Sequence, residues 1–329
     1  MTHLYITIDT EYSSGIPGAS GVPERADNYA RCIAGRTGEG DYGVDYQLRL
    51  FEEHGIRASF FVDPMPALLW GIASIEDIVA PLLEAGQDVQ LHCHPEWLAL
   101  APPGGPFAGL SGNNIKEFTF EEQSRILDWA RDTLVSAGAP KPVAFRAGNY
   151  GANDDTLRAL AAIGVRYDTS HSPALVGTGA CEIDLGTTIR TPVLYEGVVE
   201  VPIGCIATLG GGLRHAQITA LSAAEMRAAI AHARDTDLPS FTLVSHSFEF
   251  VNRTTMTFNR IVGRRFERLC RDVAALKGVT TASYDVSPPL GTATAPDRAP
   301  VAEPLPLRPV RTGLRMAEQY LSNTLYGAL

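Results

Sequence analysis

The sequence predicts an α/β protein whose parallel strands close, or nearly close, into a barrel. Three observations carry this expectation. Seven strand-then-turn segments alternate with helical ones, the order expected of a parallel α/β sheet. Chemically capable residues stand at the ends of at least five successive strands. A barrel gathers such ends on one rim, whereas the alternative, an open doubly wound sheet, spreads them along its edge. With 329 residues, 45% of them hydrophobic, the chain can bury one large core.

The elements follow in order. Residues 4–8 are a short apolar, β-branched run ending at Asp9, and RASFFVD (57–63) reads as a second strand. Between them lie a Gly/Pro/Asp-rich stretch at 13–43 and a helix at 44–54 with Val44, Leu48 and Phe51 on one face. Ser74 with Asp77 three residues on announces a helix carrying Ile78, Leu82 and Leu83, and DVQLHCH then alternates as a strand. Thr119 and Glu122 form a capping-box signature for a helix through about 137. PVAFRAG (142–148) is a strand, 152–163 a helix and 165–168 a short strand, and VVEVP suggests a β excursion within 187–203. Ser222 and Glu225 open another helix, FTLVSHS (241–247) is a strand, 258–274 a helix and VTTASY (279–284) a last strand.

Composition narrows the function classes. Asp+Glu 37 against Lys+Arg 27 gives a formal charge of −10, which argues against nucleic acid as a partner. The cysteines Cys32, Cys93, Cys181, Cys205 and Cys270 are an odd set without CxxC spacing, so neither a disulfide framework nor thiolate zinc is expected. MTHLYITIDTE has no basic segment followed by an apolar run, and no stretch reads as a spanning helix; the cytoplasm is the expected location.

Two residue pairs point to metal-assisted hydrolysis. Asp9 and Glu11 share one side of a strand, where two carboxylates need a cation or an arginine to neutralise them. One then serves as a ligand and the other as a base. His92 and His94 share a strand face in the same way and can present two imidazoles to one divalent ion, while Cys93 points to the opposite, core face. A mixed nitrogen and oxygen set suits zinc and is acceptable to cobalt, nickel or manganese. Arg146 at another strand end can pair with Asp9. His246 can protonate a departing amine, with Asp168 holding its ring. A Ser–His–Asp reading through Ser247 lacks a GxSxG elbow, and GTGAC has the wrong context for dinucleotide binding.

Over roughly residues 4–284 these strings resemble the polysaccharide deacetylase, or NodB-homology, family (carbohydrate esterase family 4-like). ITIDTEY stands in place of its TFDD-like opening, which puts the general base on Asp9 and the second aspartate on Thr10. Relatives with a DxD or DxE arrangement imply that Glu11 takes over as ligand. In QLHCHPEW the first family histidine falls on His92, and the second position, four residues on, is Glu96; His94 or Glu96 replaces the missing ligand. FRAGNYG corresponds to the motif of the base-orienting Arg146, YDTSHSP loosely to that around Asp168, and LVSHS to that of His246. The combination of DTEY, HCHPEW, FRAGNYG and SHSFEF looks like the subgroup associated with lipopolysaccharide or O-antigen biosynthesis.

The resemblance implies a distorted (β/α)7 barrel that deacetylates an N-acetylated sugar, nucleotide-linked or lipid-linked during assembly. A hydrolase of another linear or cyclic amide and a metal-depleted carbohydrate-binding protein are the alternatives. The expected organisation is a catalytic barrel over 1–287 and a tail over 288–329. The stretch 13–43, with Tyr29, Arg31, Arg36 and Tyr42, forms a rim insertion, and the loop 97–118 is a second wall on which Trp97 could stack against a sugar. The tail is a Pro-rich connector followed by an amphipathic helix, with Leu314, Ala317, Leu321 and Leu325 on one side, that packs on the barrel or joins a homo-oligomer.

Overall fold

A computed structural model describes residues 1–289 and 295–327. Its centre is a curled sheet that does not fully close. In chain order the elements are β1 (Thr2–Thr10), α1 (Val44–His54), β2 (Ser59–Val62), α2 (Ala73–Glu84), β3 (Asp88–Cys93), α3 (Phe120–Ser136), β4 (Ala144–Ala147), α4 (Asp154–Ala162) and β5 (Tyr167–Asp168). They continue with β6 (Val193–Tyr195), β7 (Val198–Glu200), α5 (Ala223–Asp235), β8 (Ser240–His246), α6 (Arg260–Ala275), β9 (Val279–Ala282) and α7 (Pro309–Tyr326). The strands lie in the order β8-β1-β2-β3-β4-β5-β7-β6, and β9 pairs with the first half of β1. All neighbours are parallel except β6 and β7, a hairpin whose turn residues Glu196 and Gly197 both have positive φ.

The gap between β7 and β8 is bridged by irregular chain. Val201 N–H donates to Asp168 O at 2.7 Å, Ile203 N–H to His171 O at 3.0 Å, and Gly204 N–H to Thr242 O at 2.9 Å. A half-barrel thus behaves as a nearly closed one, with its strand C-termini on one rim.

β1 shows why the sheet reads as an almost continuous apolar run: it is buried on both faces. Leu4, Ile6 and Ile8 join the large core between sheet and helices. Tyr5 faces the barrel axis with Phe61, Ala144, Tyr167, Val201, Ala282 and Tyr284 in a small inner core. Above that apolar plug the axis becomes polar, beginning with Thr7 and the buried Arg146, whose guanidinium lies 4.6 Å from the Phe61 ring. The plug supplies an apolar floor for the rim.

Local signals place most helices. The capping boxes Thr119/Glu122 and Ser222/Glu225 open α3 and α5, and Asn153/Thr156 opens α4 in the same way. Ser74 does not cap α2; it lies inside the helix and donates to Gly71 O at 2.7 Å. The 13–43 stretch holds the short helix Arg25–Asn28, a π turn at Tyr29–Ile33 and a hairpin of Arg36–Thr37 with Gly40–Asp41.

α7 packs with its polar side inward. Asn259 Nδ2 donates to Ser322 Oγ at 2.8 Å, and Arg265 pairs with Glu318 at 2.9 Å. Its apolar half is turned outward: Leu314, Met316, Tyr320, Leu321 and Leu325 are all at least 50% exposed. No helix among the described residues is long and apolar enough to cross a membrane.

Candidate metal centre

Strand alternation delivers the acids of β1 to the rim. Asp9 follows Tyr5 and Thr7 on the axial side, and Glu11 lies just beyond the strand end. Thr10 faces the other way, its hydroxyl donating to Ile8 O at 3.2 Å. On β3, His92 pairs in register with Arg146, and His94 stands one residue past the strand. Cys93 is fully buried in the outer core.

These placements bring Glu11, His92 and His94 to one point. Glu11 Oε2 lies 2.9 Å from His92 Nε2 and 2.5 Å from His94 Nε2, and the two ring nitrogens are 3.1 Å apart. That separation is close to the ~3.3 Å that two imidazole nitrogens take around one tetrahedral ion. The other face of each ring is already committed. His92 Nδ1–H donates to Arg146 O at 2.7 Å, and His94 Nδ1–H to Glu96 Oε1 at 3.1 Å. Both rings therefore turn Nε2 toward the carboxylate, as a metal-binding histidine supported by a second partner does. Between His94 and Glu96 the geometry chooses: His94 faces the cluster and Glu96 stands behind it.

Charge supports the same fit. Burial pushes the His94 imidazole down, but Glu11 and Glu96 more than offset this and raise it well above its ordinary range. Burial pushes the Glu11 carboxyl up, yet the His94 charge and hydrogen bonds from both rings hold it well below the usual carboxylate range. A buried cluster that draws in positive charge this strongly can coordinate a divalent cation.

Asp9 and His246 face each other beside the cluster. Asp9 Oδ1 accepts from Arg146 Nη1 at 2.6 Å, and its Oδ2 lies 3.7 Å from His246 Nε2. Arg146 is itself fixed by Thr7 Oγ1 at 2.8 Å and Thr169 O at 3.2 Å. Fully buried, it has no freedom to leave Asp9.

Asp168 does not hold His246. The ring lies against Glu249, with Nδ1 3.1 Å from Glu249 Oε1, and Glu249 is further bound by Ser245 Oγ at 2.9 Å. Asp168 pairs in register with Phe145, so alternation sends it to the outer side of the sheet. There it accepts from Ser170 N–H at 2.9 Å and Ser170 Oγ at 2.8 Å. Burial and the neighbouring Asp168 charge raise Glu200, its partner on β7, well above the carboxylate range. Ser170 Oγ accepts from Ala147 N–H at 2.9 Å, through which Asp168 steadies the end of β4.

Other expected groups are spent on structure. Trp97 is fully buried with its ring 5.0 Å from Trp70, so it cannot stack on a sugar. Tyr42 stacks on Phe258 at 3.7 Å. Arg36 pairs with Asp41 at 3.4 Å and Arg31 with Asp27 at 2.8 Å. Ser247 Oγ donates to Cys32 O at 2.6 Å and pins the 13–43 insertion to the rim.

The structure also recruits residues the sequence reading passed over. Glu249 was visible in SHSFEF only as part of a string. Asp63, at the end of the FFVD strand, accepts from His94 N–H at 3.2 Å, and burial raises its carboxyl to about 7. Gly148 is required by space: a Cβ there would meet the His94 ring at 2.8 Å. Asn149 and Tyr150 follow it with φ of 55° and 57°, and the Tyr150 hydroxyl is buried without a partner among the described residues. A cavity of about 310 Å³ opens beside His246 and Glu249. A wider groove of about 760 Å³, along Phe107 and Trp129, is lined by none of these groups.

No family profile and no curated protein sequence matches the chain. Solved structures do. An inferred polysaccharide deacetylase from Mycobacterium smegmatis superimposes with a TM-score of 0.54 at 16% identity, over 86% of this chain and 87% of that one. The chain has the polysaccharide deacetylase fold. An inferred polysaccharide deacetylase from Pseudomonas aeruginosa PAO1 gives 0.50 at 12% identity over 86% and 88%. A 4-alpha-glucanotransferase from Thermococcus litoralis gives 0.51 at 11% identity, over 93% of this chain and 42% of that one. A scaffold shared with a glucanotransferase leaves the reaction to be argued from the site.

Proposed function

We propose that this chain is a metal-dependent hydrolase that removes an N-acetyl group from an amino sugar or polysaccharide precursor. The observation that carries this reading is the three-part rim: the Glu11–His92–His94 cluster, the Asp9–Arg146 pair, and His246 backed by Glu249. Glu11, His92 and His94 would hold the ion, and zinc is the first choice for one carboxylate and two imidazoles. When bound, such an ion supplies Lewis acidity to the scissile carbonyl and lowers the pKa of the attacking water.

The chain's own residues supply the proton transfers. Arg146 holds Asp9 by its Oδ1 and leaves Oδ2 turned into the rim, where it would accept a proton from water. Burial pushes the His246 imidazole down, but Glu249, Asp9 and Glu11 reverse this and raise it to about 9. In its protonated form the ring can deliver its Nε2–H to the amide nitrogen as the C–N bond breaks. An amide requires that delivery because its nitrogen leaves poorly as an anion.

The lipopolysaccharide or O-antigen assignment rests on the DTEY, HCHPEW, FRAGNYG and SHSFEF strings. Hydrolysis of another linear or cyclic amide would use the same groups, and product analysis separates the two. The experiment measures bound metal, and amine release from a panel of N-acetylated sugars with Zn²⁺, Co²⁺ or Mn²⁺ added. Asp9→Asn should retain metal and lose at least about 100-fold in kcat, whereas His92→Ala should lose both. Wild-type protein that binds no divalent metal and releases no amine would overturn the proposal in favour of a binding protein.

A further inference from the structure

We infer that the cavity beside His246 takes an anionic group of the substrate, a carboxylate or phosphate, and that Arg253 is its recognition residue. This rests on the deacetylase reading for what occupies the neighbouring rim, but the argument for the anion is separate. The rings of His246 and Phe248 lie 5.1 Å apart, tilted by 34°, and the Arg253 guanidinium lies 4.1 Å from the Phe248 ring. A ladder of three flat groups thus runs outward from the proton donor and ends in a positive charge. His246, Phe248 and Arg253 all line the cavity of about 310 Å³, together with Gln217, Thr219 and Asn252.

No described residue neutralises the charge at the end of this ladder. Among the described residues the guanidinium has one polar contact, to Cys32 Sγ at 3.7 Å, and no carboxylate within ion-pair distance. The acids around it are already engaged. Glu249 is bound by Gln217, Ser245 and His246, and Asp27 by Arg31. A guanidinium carries five N–H donors in a planar fork suited to carboxylate and phosphate oxygens, so most of its capacity is left for a ligand.

Its placement is built from both sides. Arg253 begins the turn between the strands Val251–Asn252 and Thr257–Phe258, where Asn252 Oδ1 accepts from Thr254 N–H at 2.9 Å and Thr255 N–H at 3.0 Å. From the rim insertion, Arg31 Nη1 donates to Arg253 O at 2.8 Å, and Asp27 holds Arg31. Fixing the backbone and stacking the side chain reduce the entropy lost on binding. Two stacking distances from His246, the charge would meet a substituent of the same sugar or of the one beside it.

The test compares N-acetylglucosamine with N-acetylglucosamine 1-phosphate, its 6-phosphate and N-acetylmuramic acid, by calorimetric binding and by amine release, on the full chain with and without Zn²⁺. At least one anionic sugar should bind about tenfold or more tightly than the neutral one, with the advantage shrinking as NaCl is raised. The phosphate and carboxylate arms identify which anion is meant. Arg253→Gln should abolish the preference and its salt dependence, with a CD spectrum like that of wild type. Arg253→Lys should retain part of it. Equal wild-type affinity for neutral and anionic sugars, or an unchanged preference in Arg253→Gln, would overturn the inference. Anion preference without amine release would overturn the deacetylase reading alone, and amine release without preference the Arg253 inference alone.

Discussion

Residue by residue, the rim works by separating its charges. Asp9 and Glu11 are both acids at the end of one strand, yet Asp9 answers to Arg146 and Glu11 to two imidazoles. His246 is tuned by Glu249, and this has a measurable consequence. The ring must be protonated to donate, so turnover should fall as pH rises through its pKa. A cation on Glu11 opposes protonation and lowers the limb below the value of about 9 set by the acids alone, toward the ordinary 6.5. Glu249→Gln removes the principal support for the charged ring, so the alkaline limb of kcat should move to lower pH. An unmoved limb in the pH–rate profile would assign the donor elsewhere.

The pairings at this scale were only partly legible. DxE and HxH spacing fixed which side chains share a face, because that follows from a two-residue period. Asp168 was assigned to His246 because both stand at strand ends, and one residue of register sends it to the other side of the sheet. Glu249 could be reached only by knowing how the turn after β8 folds back.

Elements matter through their ends and the loops that follow them. β4 ends in Ala147-Gly148, and the glycine lets the chain pass against the His94 ring. Gly148→Ala should force the ring or the backbone aside. A weakened metal Kd with little change in global stability, read by metal titration and urea unfolding, is the expected result. At the start of α6, Asn259 Oδ1 accepts from Ile261 N–H and Val262 N–H, both at 3.2 Å, while its amide reaches Ser322. Asn259→Ala should cost about 1–2 kcal/mol in urea unfolding and speed proteolysis of α7, which loses a tether. Capping boxes and helical periodicity were plain in the sequence because they are local. The start of α2 was misread because Ser74 spends its hydroxyl on Gly71 O inside the helix.

At the scale of the molecule, α7 stands out as a helix packed inside out. Its contacts with the barrel are polar, and its apolar half faces away from it. Arg308 and Arg311 crowd at its N-terminal end, where the helix dipole is also positive, and burial and the Arg308 charge lower Arg311. An antiparallel copy of α7 would bring its carbonyl-rich C-terminal end to these arginines and cover the apolar stripe of both helices, whereas a net charge of −10 disfavours an anionic membrane. Sedimentation velocity should therefore show a dimer at tens of micromolar, and Leu314→Glu with Leu321→Glu should give a monomer. A monomeric wild type, or flotation of the chain with anionic vesicles, would exclude the second copy as the occupant.

The sequence by itself determined what depends on short range. It set the strand and helix order, the apolar run of β1, the shared face of His92 and His94, and the presence of an amphipathic stripe in the tail. Tertiary structure alone decided what depends on which strands are neighbours and how far the sheet curls. It chose His94 over Glu96 for the cluster, replaced Asp168 by Glu249 behind His246, buried Trp97, and turned the stripe of α7 outward. The physical reason is one of range: periodicity fixes the side of an element on which a residue stands, while its partner is set by register, by the curl of the sheet and by long loops returning over the rim.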